Sequence, residues 1–137
     1  MIVDIGGETT DITVHSRTNL GKGLDEVVFQ YTGPGGGNNV NQKFIDILRR
    51  KYSRYFEQSR NTDTFKHLIN QFQSSIRMPD TQMIQLHAPG MSQEMIINTE
   101  ELDSLFDEPI KQIHQNLKVV FNKEKVDVVI LVGGFAE

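Results

Sequence analysis

Val3-Asp4-Ile5-Gly6-Gly7-Glu8-Thr9-Thr10-Asp11-Ile12-Thr13-Val14 carries most of the information in this sequence. Strong β-formers on both sides of a glycine turn predict a hairpin, with strands at Ile2–Ile5 and Asp11–Val14 joined by Gly6–Thr10. Glycine in such a turn lets backbone N–H groups reach an anion with no Cβ in the way. The hydroxyls of Thr9 and Thr10 can add donors to phosphate oxygens. Asp4 and Asp11 stand at opposite feet of the turn, so both carboxylates can address one cation or its waters. A phosphate-bound magnesium ion keeps several waters and needs only one or two carboxylates. A bare Gly-Gly turn reads as a solvated hairpin; both aspartates and both threonines shift the reading to a metal-phosphate grip.

Downstream, Val27–Tyr31 reads as a third strand after the loop Asn19–Gly23. Gly33–Asn39 is predicted to hold neither helix nor strand. Within it, Gly35, Gly36 and Gly37 lead into a helix whose first N–H groups can face a phosphate, or else form a flexible junction between subdomains. Val40, Phe44, Ile47, Leu48, Tyr52 and Tyr55 recur at helical spacing. A second helix is expected from Thr62 to about Ser75 on Phe65, Leu68, Ile69 and Phe72, ended by Pro79-Asp80. Met83–Leu86 and Met95–Ile97 read as short strands around Pro89-Gly90. Asn98 with Glu101 has capping-box spacing and opens a third helix through Leu102, Phe106, Ile110, Ile113, Leu117 and Val120. Pro109 predicts a kink or a handover within it.

Val126–Val132 is apolar on both faces and is expected to be a buried, central strand. It runs into Gly133-Gly134, a turn or a place where a flat group lies against bare backbone at a strand's carboxyl end. The chain opens on a strand that needs neighbours and ends where a helix should cover a buried one. It is therefore read as a fragment, or as half of a split architecture, of the α/β class.

The 137 residues suffice for one ordinary domain, with 37% apolar and 23% charged residues. The longest apolar run, Val128–Val132, is far too short for a membrane helix. Without cysteine there are no disulfides or thiolate metal sites, which fits a reducing compartment. A net charge of −4 disfavours nonspecific nucleic-acid binding. Arg49-Arg50-Lys51 and Arg54, interleaved with Tyr52 and Tyr55, suggest RNA or, more simply, the solvated side of a helix. The four histidines lack ligand spacing.

At these residues the sequence resembles the heat shock protein 70 family and, more broadly, the actin-like ATPase superfamily. Val3–Val14 resembles the superfamily's second phosphate motif, and Val129–Glu137 its adenosine motif. Phe106–Ile110 resembles the family's helix break, and Gly36-Gly37 with Val40 to Phe44 its junction into the smaller lobe. The ending Phe135-Ala136-Glu137 is most similar to the atypical 12A/12B branch of the chaperones.

The resemblance implies an actin-like (ribonuclease H-like) lobe with a mixed sheet and an inserted smaller α+β subdomain. Residues 1–35 and 107–137 would form the larger subdomain, and residues 36–106 the smaller. It implies ATP or ADP with Mg2+: Gly6, Gly7, Thr9 and Thr10 on the phosphates, Asp4 and Asp11 beside the magnesium and its waters. Gly36, Gly37, Arg77, Gly133 and Gly134 would complete the nucleotide contacts. Glu8 replaces the family's third glycine, and Gln73 and Ile76 replace its adenosine-side glutamate and lysine. The first phosphate motif and the catalytic lysine and glutamate of the opposing lobe are absent. The chain alone is thus expected to bind nucleotide weakly and to become an ATPase only with that lobe. A cytoplasmic chaperone of the stress response, with clients and co-chaperones, is the implied whole. The alternatives are a non-catalytic scaffold with a decayed pocket, or another actin-like ATPase, filament-forming or sugar kinase.

Overall fold

The computed structural model describes residues 1–16, 26–58, 62–77 and 82–135. The loop at Asn19–Gly23, the expected helix stop at Pro79-Asp80 and the final Ala136-Glu137 lie outside the described residues. The order of elements is β1 (Ile2–Ile5), β2 (Thr9–Ser16), β3 (Glu26–Pro34), α1 (Gly37–Lys51), α2 (Ser53–Gln58) and α3 (Thr62–Ile76), then β4 (Ile84–Leu86), β5 (Met95–Ile97), α4 (Thr99–Phe121) and β6 (Ile130–Val132). One sheet runs β3-β2-β1-β6, and β4-β5 form a separate pair. β1 is antiparallel to β2 but parallel to β6, so the larger sheet is mixed, as expected for an α/β fold of this kind.

The chain divides into two compact units, Met1–Val40 with Asp107–Glu137, and Asn41–Phe106. In the first, alternate residues of β1 and β2 turn Val3, Ile5, Ile12 and Val14 into a core closed by Val120 of α4. Phe29, Tyr31, Ile113 and Leu117 pack around it. Two buried polar side chains tie strand ends to their neighbours: Thr10 Oγ1 donates to Gly35 O at 2.8 Å, and Asn116 Nδ2 to Pro34 O at 2.7 Å. In the second unit, Phe44 and Phe72 stack with ring centroids 4.3 Å apart. Leu48, Leu68, Ile84, Leu86, Met95, Ile97 and Leu105 are buried in the same unit.

The predicted capping box forms in both directions. Glu101 N donates to Asn98 Oδ1 at 2.9 Å, and Asn98 N to Glu101 Oε2 at 3.1 Å. Lys51 Nζ reaches the same carboxylate at 2.8 Å. Burial works to raise the Glu101 pKa, but the hydrogen bonds from Lys51 and the Asn98 amide, with the charges of Lys51 and Arg50, hold it below its ordinary value.

Several expectations are corrected. Gly33–Asn39 is mostly regular: β3 continues through Pro34 and α1 begins at Gly37. The stripe from Val40 to Tyr55 is broken at Tyr52 into α1 and α2. There, Tyr52 Oη accepts from Ile96 N at 2.8 Å while Lys51 Nζ donates to Ile96 O at 2.7 Å. The helix end is thereby committed to the edge of β5. Pro109 does not produce a handover; α4 runs through it, and Pro109 itself is buried while Ile110 is exposed.

The largest correction concerns the last strand. Only Ile130–Val132 are strand, at the sheet edge, and Leu131 is 57% exposed. A sequence apolar on both faces reports the surroundings a strand is suited to, and among the described residues only β1 pairs with it.

Candidate functional site

The β1–β2 turn is closed by Gly6 N donating to Thr9 O at 3.0 Å. Asp4 pairs directly with Asp11 across the ladder, and Asp11 with Thr32 on β3. Directly opposed residues share a face of a sheet. Since Val3, Ile5, Thr10 and Ile12 turn inward, the two carboxylates share the exposed face. Asp11 is held by two hydroxyls: Thr32 Oγ1 donates to Oδ1 at 2.6 Å and Thr9 Oγ1 to Oδ2 at 3.1 Å. Thr10 differs from its expected role. It is fully buried and its hydroxyl proton is committed to Gly35 O, so it does not donate toward the open side of the turn.

The start of α1 lies against this turn. Gly37 N donates to Gly6 O at 3.1 Å and Asn38 N to Gly7 O at 2.7 Å. For Gly37 this corrects the expectation of a free helix-start amide facing a phosphate: the Gly37 and Asn38 amides are occupied by turn carbonyls. Gly36 permits the approach, because a Cβ there would stand 2.6 Å from Gly7 O and 2.7 Å from Gly6 O. The same contacts orient the turn. In a trans peptide C=O and N–H point in opposite directions. With the Gly6 and Gly7 carbonyls turned to α1, the N–H groups of Gly7 and Glu8 point away from it. Both residues are exposed, and neither amide has a hydrogen-bond partner among the described residues.

Gly133 and Gly134 follow β6, whose Val132 pairs in parallel with Asp4. Gly133 has φ +98°, and a Cβ on it would overlap the Asp4 carboxylate and the backbone of Ile5. Phe135 N donates to Ile5 O at 3.1 Å. A Cβ on Gly37 would meet the Phe135 ring at 3.2 Å. The hairpin and the glycine pair, far apart in sequence, thus meet at the carboxyl ends of two adjacent parallel strands, where α/β sheets collect ligands.

Among the described residues no group of three or more His, Cys, Asp or Glu is gathered to cage a metal. Two carboxylates on one face beside unpaired amides suit a different demand, that of a hydrated magnesium ion carried by phosphates. Arg77 lies in the other unit, exposed just after α3, near Gln73, whose Nε2 donates to Asn41 Oδ1 at 3.3 Å. The basic run is partly engaged within the fold: Arg49 lies 4.7 Å over the Phe65 ring and Lys51 pairs with Glu101. No helix among the described residues is long and apolar enough to cross a membrane. Thr32 went unnoticed in the sequence because the expected strand stopped at Tyr31, one residue short of it.

A family model described as MreB/Mbl protein matches residues 1–132. No curated protein matches the sequence. Among solved structures, the crystal structure of MreB5 of Spiroplasma citri bound to ADP is similar, with a TM-score of 0.63 at 18% identity. The match covers 97% of this chain and 41% of that one, so the chain spans less than half the length of the solved protein. At that identity the likeness shows the fold. The matched family is not the heat-shock chaperone branch that Phe135-Ala136-Glu137 suggested. Phosphate hairpin and glycine turn are shared across the actin-like superfamily and cannot separate its branches. The ending that seemed to separate them lies beyond the matched residues.

Proposed function

The chain belongs to the MreB/Mbl family, within the actin-like ATPases, and on that premise we propose that it forms the phosphate- and adenosine-facing lobe of an ATP/ADP cleft. The amides of Gly7 and Glu8 hold β- and γ-phosphate oxygens, while Thr9, whose one hydroxyl proton goes to Asp11 Oδ2, steadies that carboxylate instead. Asp4 and Asp11 accept hydrogen bonds from the waters of a phosphate-bound Mg2+, which supplies charge neutralisation when bound. Gly133 and Gly134 give the adenosine a surface of bare backbone. The Asn41–Phe106 unit plays the part of the inserted smaller subdomain.

One observation carries the reading: two outward amides, without a partner among the described residues, in a turn flanked by directly opposed carboxylates at the carboxyl ends of β1 and β6. Phosphoryl transfer rests on positioning and electrostatic stabilisation. Hydrolysis therefore requires the opposing lobe, and this half of the cleft alone binds without appreciable turnover. The whole protein is proposed to assemble filaments under nucleotide control, the actin-like alternative that the family match favours over a chaperone.

Calorimetry with ADP tests the site. Binding should depend on Mg2+ and weaken in the Asp4→Asn/Asp11→Asn double variant; wild-type affinity in that variant refutes the assignment. Exposed Glu8 supports a second reading, a scaffold with a decayed pocket. A ligand that binds the native state raises its melting temperature, so a shift of several degrees with Mg·ADP excludes a pure scaffold. Sedimentation of ATP-dependent polymers from the full-length protein tests assembly.

A further inference from the structure

We infer that Thr32 is a positioning residue for the metal-phosphate site, acting through Asp11; this rests on the nucleotide reading above. Thr32, Asp11 and Asp4 form a row across β3, β2 and β1 on the exposed face of the sheet. Thr32 is on the far side of Asp11 from Asp4, so it does not share the cation directly. Its hydroxyl donates to Asp11 Oδ1 at 2.6 Å, within the range of a charge-assisted O–H···O bond. The bond from Thr9 to Oδ2, at 3.1 Å, is the looser of the two.

An exposed aspartate is free to rotate, and ordering it around a ligand costs affinity. With a donor on each oxygen, the Asp11 carboxylate is held before the ligand arrives. Each oxygen keeps a second lone pair, so both can still accept a hydrogen bond from metal-bound water. Thr32 thus orients a charge it does not itself carry. Its contribution should fall on the metal-dependent part of nucleotide binding and not on direct phosphate contacts.

The test is the ratio of ADP affinities measured with Mg2+ and with EDTA, by calorimetry on the whole chain. Thr32→Val keeps shape and β-propensity but removes the hydroxyl. It should reduce the ratio about fivefold, the scale of one ordinary net hydrogen bond, with the EDTA affinity unchanged. Thr32→Ser, which restores the hydroxyl, should recover most of the loss. A wild-type ratio in Thr32→Val overturns the inference, as does an equal loss with and without Mg2+, which would make Thr32 merely structural. If Thr32→Val does not give the wild-type circular-dichroism spectrum, Thr32→Ala and Thr32→Ser provide the same comparison. A ratio of one in the wild type itself removes the nucleotide reading, an outcome distinct from failure of Thr32 alone.

Discussion

Gly36→Ala is the substitution for which the structure gives the clearest expectation. The added methyl would stand 2.6 Å from the Gly7 carbonyl and 2.7 Å from Gly6 O, both backbone atoms with no freedom to swing aside. The start of α1 must then withdraw from the hairpin turn. Withdrawal loosens two hydrogen bonds, Gly37 N to Gly6 O at 3.1 Å and Asn38 N to Gly7 O at 2.7 Å. At about 1 kcal/mol net for each bond, and more if a group is left buried and unpaired, the loss is about 2–3 kcal/mol. Alanine's smaller unfolded-state entropy returns about 0.4–1 kcal/mol, because Gly36 does not occupy the left-handed region. The net cost of about 1–2.5 kcal/mol corresponds to roughly 3–10 °C in melting temperature for a chain of this size.

Thermal unfolding followed by circular dichroism gives the first measurement. Amide hydrogen exchange at Gly37 and Asn38 gives the second and locates the effect. Both amides should lose protection in the variant while those of the β4–β5 pair keep theirs. A midpoint within about 1 °C of wild type, with unchanged exchange at Asn38, would show that the turn and the helix are not coupled as described.

Gly133→Ala should both destabilise the chain, by at least the ~1–2 kcal/mol of a non-glycine residue in the left-handed region, and weaken Mg2+-dependent ADP binding, because the methyl displaces Asp4. Gly134→Ala, where a Cβ meets nothing within 4 Å, should raise the melting temperature slightly, by roughly 1–4 °C. Gly6→Ala should be close to neutral in stability yet lower ADP affinity, as read by calorimetry. Glu8→Gln should raise ADP affinity about threefold, the scale of one charge ~7 Å from phosphate in a water-like dielectric. The Glu101 pKa is lower folded than unfolded, so its contribution is complete above the unfolded value and is lost as pH falls through the folded one. Urea midpoints should therefore fall on acidification from the ordinary carboxylate range, and less steeply in Glu101→Gln.

Local chemistry was legible and tertiary commitments were not. The hairpin, the first strand and the cap at Asn98 follow from residues within a few positions of one another, and the structure places them where the spacing does. The capping box even forms reciprocally. The break at Tyr52 was illegible because the contact made there, Tyr52 Oη with Ile96 N, joins residues 44 positions apart. The fate of Thr10 was illegible for the same reason: its hydroxyl meets Gly35, 25 residues away and just past the end of β3. Apolar residues on both faces of Val126–Val132 misled differently, since the pattern describes a strand with cover on every side and the described residues supply only β1. At the site, residue types could be read but directions could not. Which amides are free is a property of how α1 meets the turn, and no spacing rule contains it.

The glycines of the site divide into two kinds, and the division bears on function. Gly36 and Gly133 are required by the fold, because a Cβ at either would strike backbone or, at Gly133, also the Asp4 carboxylate. Gly6 and Gly7 are not. Neither has a positive φ, and a Cβ on Gly6 would meet only an ordinary contact at 3.5 Å. On Gly7 it would meet the Asn38 side-chain amide at 3.3 Å, a group able to give way. Folding alone therefore does not account for glycine at the tip of this hairpin. The Gly7 and Glu8 amides point to the side that faces away from α1. On the proposed reading, a turn whose carbonyls hold a helix and whose amides face away from it beside two carboxylates receives an anion together with its cation. Glu8 then acts on that site through its charge, and the Thr32–Asp11 bond through orientation.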